Sequence, residues 1–359
     1  MSPNSLKHSA RNWIVGAALF TGVAVGAAGV AGAVSSATSS TNATPTTTAS
    51  STQTAPSNQY GTPPAQNGRA PRGQDPAKMS HGPGETLLTG TTAAKVKAAA
   101  LAANPGARGV IVTQSETSSG VLNDVQAIGA IVRDYPDTVL IVDSITGIGA
   151  VECKTDEWGL DVVMTGSQKG LMLPPGLAAC TVSEKAWKAY ERSTLPKYYF
   201  DWKKYAKNIE KDTTPFTPAV SLVLGLNVAL KMIREEGLDA VIARHSMLAE
   251  ATRKGVEALG MKLFAPAEGR GSAVTPVWVP EGVDGKAIVK TMKDRYGVTI
   301  AGGQDDYAGK IIRIGHLGYF GEFDIITTLA ALEMTLAGLG YEFERGAAIS
   351  AAEAVFMGQ

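Results

Sequence analysis

Three short runs of β-branched and aliphatic residues, each ending in polar side chains, set the tightest limit on what this chain can fold into. They are Gly109–Thr113 (GVIVT), Thr138–Asp143 (TVLIVD) and Leu160–Ser167 (LDVVMTGS). Short apolar runs of this kind read as strands buried on both faces. Between the first two, VLNDVQAIGAIVRDY carries apolar residues at helical spacing. Strand, helix and strand in succession predict an α/β unit with a parallel sheet. GLAACTVS predicts a fourth strand, and SLVLGLNVALKMIREEG and LDAVIARHSMLAEATRKGVEALG predict a pair of helices. After this long helical link, AVTPVWVP, GKAIVKTMKDRYG, IIRIGHLG and EFDIITTLAALEMTLAGLG alternate again. The expected architecture is α/β: a mainly parallel sheet with helices over residues 108–235, a smaller C-terminal α/β domain over 236–345, and a tail over 346–359.

The part before residue 108 is of a different character. Lys7 and Arg11 precede an uncharged stretch of small and apolar residues from Trp13 to Val34. That stretch is long enough for a membrane-crossing helix, and Ala31–Ala33 near its end also fits an export cleavage site. Residues 1–34 are therefore expected to be a signal peptide or membrane anchor, with membrane contact through 13–34 and an exported or membrane-associated location. If the leader is artefactual, the location is cytoplasmic. Residues 35–82 are rich in Ser, Thr and Pro and nearly free of aliphatic side chains. Such a segment buries too little surface to offset its ordering entropy and is expected to be a disordered linker. Residues 83–107 read as one helix stopped by NPG, and resemble the opening helix of small exported PepSY-type domains.

Charge excludes one class of partner. The 33 acidic and 33 basic residues cancel, leaving no electrostatic footprint for nucleic acid. Cys153 and Cys180 flank apolar sequence and are expected to be buried free thiols, and the four scattered histidines suggest no metal site.

Ligands of open parallel sheets sit at the carboxyl ends of the strands. TQSETSSG follows the first strand, Asp143 ends the second and GSQK, with Lys169, ends the third. A desolvated lysine is a nucleophile toward aldehydes. A carboxylate paired with a pyridine nitrogen keeps that ring protonated, making it an electron sink. Hydroxyls and an amide suit a phosphate or phenolic oxygen. The set describes a pyridoxal phosphate site, although spacing alone also allows Asp143 as a helix cap and Lys169 as a surface lysine. Gly170 is expected to leave space for the cofactor, and Pro174 and Pro175 to stiffen the following loop.

TQSETSSGVLND, LIVDSITGIGA, EWGLDVVMTGSQKGLMLPPGLA, LPKYYFDWKKY, TTPFTPAVSL and AGGQDDYAGKIIRIGHLG resemble the class V, fold-type I aminotransferases, most of all the alanine–glyoxylate and serine–glyoxylate group. The resemblance spans Gly109 to Glu342. It implies pyridoxal 5'-phosphate as cofactor, small amino acids and 2-oxo acids as substrates, and a homodimer. Lys169 then forms the Schiff base with the cofactor and moves the substrate's α-proton. Asp143 pairs with the pyridinium nitrogen, and Ile145 packs one face of the ring. Thr117 lies near the ring oxygen, Gln168 contacts the phosphate, and Thr217 reaches the phosphate of the neighbouring subunit. Arg313 grips the substrate carboxylate. A strand arginine in an apolar frame suits a planar anion on its own chemistry, with a structural ion pair as the alternative.

The family's pattern also includes a glycine-rich phosphate loop, a stacking aromatic and a PGP-like segment ahead of SETSSG, and none is evident here. The sequence therefore reads as an N-terminally truncated aminotransferase joined to a leader near Pro105–Gly109. Two functions follow: a transaminase that passes an amino group from alanine or serine to glyoxylate, or an inactive remnant of one on an exported or anchored chain.

Overall fold

The computed structural model describes residues 13–16 and 108–358. Most of the expected leader, and all of the expected linker and 83–107 segment, lie outside the described residues. Five strands make the main sheet: β1 (Trp13–Gly16), β2 (Gly109–Thr113), β5 (Val139–Asp143), β6 (Val162–Gly166) and β7 (Ala178–Val182), in the order β1-β7-β6-β5-β2. β3 (Ser115–Glu116) and β4 (Val121–Leu122) form a small hairpin between β2 and the first helix.

β2, β5 and β6 are parallel, as their sequences predict. β7 is antiparallel to β6, a departure from the parallel expectation. The cause is the connection. The chain from Gly166 to Ala178 is a loop with no helix in it, and a parallel return needs a crossover of a dozen or more residues, usually helical.

Residues 13–16, inside the expected leader, bring a second departure. Trp13–Gly16, expected to begin a helix, is a strand paired antiparallel with β7, Trp13 opposite Thr181 and Gly16 opposite Ala178. A tryptophan followed by two β-branched residues suits a strand, and the outer edge of β7 offers unpaired backbone groups. Among the described residues, no helix is long and apolar enough to cross a membrane.

The crossover helix α1 (Val125–Val132) begins where Asp124 accepts the Ala127 amide. Its buried residues Val125, Ile128, Gly129 and Val132 repeat at one-face spacing and lie against Leu140, Val142 and Val163 of the sheet. On the other face, α2 (Glu184–Arg192) and α3 (Trp202–Ile209) set Ala186 and Tyr205 against Val139, Val162 and Val182. Asp161, buried just ahead of β6, ties the layers together. It accepts the Leu140 amide at 2.9 Å and the Ser183 hydroxyl at 2.7 Å, and pairs with Lys185 at 2.8 Å.

α4 (Val220–Glu236) and α5 (Leu238–Ala258) lead into the second half. There β8 (Val274–Trp278), β10 (Ile311–Gly315) and β9 (Ala301–Gly302) form an antiparallel sheet with β10 in the middle. α6 (Gly285–Tyr296), α7 (Glu322–Gly338) and α5 cover it. The expected tail is a helix too, α8 (Ala347–Phe356). Its Ala348 and Ala352 are fully buried in the same core as Leu248 and Leu332, and Glu333 accepts the Gly346 and Ala348 amides at its start.

Candidate active site

Parallel register brings the site's loops together. Thr113 pairs with Asp143, and Asp143 with Met164, so the chain leaves β2, β5 and β6 at one edge of the sheet.

Asp143 is the half-buried last residue of β5. Its Oδ1 accepts the Ile145 amide at 2.9 Å, and the residues that follow form turns, so it does not cap a helix. Among the described residues its second oxygen has no hydrogen-bond partner, which leaves an acceptor facing its surroundings. Ile145 is half-buried beside it. Ser144 turns the other way: its hydroxyl donates to Gln114 Oε1 at 2.5 Å, and Gln114 Nε2 donates to the Glu152 carbonyl at 2.8 Å. This buried pair locks the Asp143 turn to the end of β2. The Thr117 and Thr146 hydroxyls lie 2.7 Å apart and join the same two loops further out.

Lys169 stands on the loop after β6. Ser167 cinches that loop at its base, donating its hydroxyl to the Pro174 carbonyl at 2.7 Å and accepting the Leu177 amide at 3.2 Å. Lys169 is half-buried, and its carbonyl accepts the Met172 amide at 2.8 Å. Among the described residues Nζ has neither an ion pair nor a hydrogen bond. Gly170 has a different reason from the one expected. A β-carbon there would lie 2.2 Å from the Ile148 carbonyl oxygen. The glycine lets the Lys169 loop press directly on the Asp143 turn.

Arg313 comes from β10, in the other half. Its Nε donates to the Gly302 carbonyl at 2.9 Å and its Nη1 to the Thr117 carbonyl at 3.2 Å. Among the described residues no carboxylate pairs with it. Burial lowers the guanidinium's proton affinity, and the nearby Glu116 carboxylate opposes that shift. Gln168 and Thr217 are exposed, with the Gln168 amide turned back over Gly166. The structure therefore gathers Asp143, Ile145, Thr117, Lys169 and Arg313, and leaves Gln168 and Thr217 at the surface. Both cysteines are free and half-buried rather than buried, and burial pushes each thiol up to about 11.

Sequence reasoning missed Gln114, Ser144 and Thr146. Their partners lie about thirty residues away along the chain. The only local signal was a cluster of hydroxyls and glycines after an apolar run.

Comparison with known proteins places this geometry in a family. The aminotransferase class-V model matches residues 88–310, and the chain belongs to that family. The match begins at Leu88, within the 83–107 segment. A soluble hydrogenase small subunit from Synechococcus sp. is 50% identical over 249 residues, covering 69% of this chain and 65% of that protein. A serine–glyoxylate aminotransferase of Arabidopsis thaliana is 40% identical over 248 residues, covering 68% and 62%. The crystal structure of pyridoxamine–pyruvate aminotransferase from Mesorhizobium loti superposes with a TM-score of 0.70 at 35% identity, covering 74% of this chain and 69% of that one. The chain thus spans just under two thirds of the length of these curated relatives. Class V aminotransferases depend on pyridoxal phosphate.

Proposed function

We propose that the chain is a transaminase that moves an amino group from a small amino acid, alanine or serine, to glyoxylate with pyridoxal phosphate as cofactor. The observation that carries this reading is the meeting at one edge of the main sheet of a lysine and a carboxylate oxygen, each without a partner among the described residues, with Arg313 of the second sheet bonded to the Thr117 loop beside them.

The residues fit the cofactor's ring. Asp143, oriented by the Ile145 amide, would hold a ring nitrogen in its protonated form, with Ile145 beside the ring and Thr117 near its oxygen. Once bound, pyridoxal phosphate supplies an electron sink for the substrate's α-carbon. Lys169 Nζ, without a competing partner among the described residues, is the group that takes and returns the α-proton. Arg313 binds the substrate carboxylate and orients the α-carbon toward Lys169, and the half-buried setting limits competition from water. Gln168 and Thr217 are the candidates for the phosphate.

We also propose a homodimer. No residue of α4 is fully buried, and Val220, Leu224 and Val228 line up along it, all more than half exposed. Thr217 lies just ahead of this apolar stripe, so a partner seated on α4 meets Thr217 at its margin. Sedimentation equilibrium is expected to give twice the chain mass.

The exposure of Gln168 and Thr217 is what favours the second reading, an inactive aminotransferase. One experiment separates the two. Purified protein titrated with pyridoxal phosphate is expected to gain a visible absorbance band, and Lys169→Ala to abolish it. Absence of the band at saturating cofactor rejects the transaminase reading.

A further inference from the structure

We propose that Arg244 and His245, neighbours on α5, are positioning residues for Lys169 that act through Gly318. What Lys169 then does rests on the transaminase reading, but the seating of its loop does not.

Gly318 lies in the turn after β10, with φ of 106°. Both polar groups of this residue are held from α5. Its amide donates to His245 Nε2 at 2.9 Å, and its carbonyl accepts from Arg244 Nη1 at 3.0 Å. The same Nη1 reaches the Phe320 carbonyl at 2.8 Å. His245 is fully buried, and its Nδ1 lies 2.7 Å from the Val241 carbonyl. A carbonyl can only accept and an amide can only donate, so the ring carries its proton on Nδ1 and offers Nε2 as the acceptor.

The held turn meets the Lys169 loop. A β-carbon on Gly318 would fall 2.3 Å from Met172 Sδ, so the methionine occupies the space that glycine leaves. Met172 has φ of 53°, and its amide closes the turn onto the Lys169 carbonyl. α4 grips the loop's other arm, with Leu222 against Gly176 and Leu173 against Gly225. Arg244 joins the two grips: its Nε and Nη2 bind Glu236, at the end of α4, at 2.7 and 3.1 Å. The loop bearing the reactive amine is thus clamped between α4 and the Gly318 turn, with Arg244 fastened to both.

The test compares two replacements of one ring. In His245→Gln the side-chain oxygen can take the place of Nε2 and keep the Gly318 bond. In His245→Asn the amide nitrogen can take the place of Nδ1, keeping the Val241 bond and losing Gly318. The readouts are amide hydrogen exchange across residues 168–177 and the affinity for pyridoxal phosphate, followed by absorbance. His245→Asn is expected to speed exchange and weaken cofactor binding about tenfold, the factor for one lost buried hydrogen bond, while His245→Gln restores most of both. Met172→Ala removes the contact from the other side at a half-exposed position and is expected to loosen the same peptide. Unchanged exchange across 168–177 in His245→Asn and Met172→Ala overturns the clamp, as does an equal effect of Asn and Gln. If the exchange responds as expected but the unaltered protein takes up no cofactor, the clamp stands and the transaminase reading falls.

Discussion

The two halves of the molecule bury their apolar side chains to different degrees. In the C-terminal half Leu248, Ile288, Ile312, Leu329 and Leu332 have no exposed surface, and four helices close over a three-stranded sheet. In the N-terminal half the parallel sheet is well buried at its centre, where Leu140 and Val142 are fully enclosed. Its edge strand β2 nevertheless leaves Ile111 76% exposed, and Leu195, Tyr198, Phe200 and the α4 stripe are also open. The first core is closed within one chain, although Tyr319, Phe323 and Met357 stand more than half exposed on its surface. The second leaves the aligned apolar stripe of α4 open, and exposed apolar groups that adjoin one another mark contact sites.

The largest expected effect tests the completeness of the C-terminal core. Leu329→Ala should cost about 3 kcal/mol, because the enclosed site cannot collapse around the lost atoms. Urea unfolding followed by a signal from that half measures it, and a cost under about 1 kcal/mol would erase the contrast.

Acid should come next, and again act on the C-terminal half. His316 is fully buried, its Nε2 bonded to the Thr275 hydroxyl at 2.9 Å and its Nδ1 turned toward the Ser272 backbone without a well-formed bond. Burial pushes this ring down from 6.5 to about 3, with the Arg253 charge adding to the shift, and burial lowers His245 as well. The unfolded chain protonates near the ordinary value, so the stabilisation is complete above that pH and is lost as pH falls toward the folded value. Between pH 7 and 5, His316 alone should remove on the order of 2 kcal/mol. Replicate unfolding curves at the two pH values check this, and His316→Phe should flatten the difference.

The smallest effect sharpens the other side of the comparison. Ile111→Ala in the isolated chain should change stability by no more than about 0.5 kcal/mol, as expected for an exposed position. A larger loss would mean that something outside the described residues covers β2.

Much of this was legible in the sequence, and the rest was hidden for identifiable reasons. The β-branched runs gave the strands, and polar residues at their ends gave Asp143 and Lys169, because parallel strands export their C-terminal loops to one side. The direction of β7 was not legible, since an apolar run carries no sign. Trp13–Gly16 shows the ambiguity of a short apolar segment, which periodicity alone cannot assign to helix or strand. Alanine-rich α8 looked like a tail because its partners, Leu248 and Leu332, lie far back along the chain. The same distance hid His245 and Gly318, which are 73 residues apart. Contacts between remote segments leave a trace only where a glycine is forced, and GHLG held that trace without revealing its partner.

Arg313 also bears on selectivity. An incoming anion does not meet a bare charge there, because the guanidinium already rests on the Thr117 carbonyl. A chloride ion offers a single point of attraction and gains little by displacing that bond. A planar carboxylate offers two oxygens to the fork and replaces one long bond to an uncharged carbonyl with a pair of short bonds to an anion. If Arg313 takes the substrate carboxylate as proposed, this resting contact would set a threshold that spares the arginine from common salt and yields to ions whose shape matches the fork.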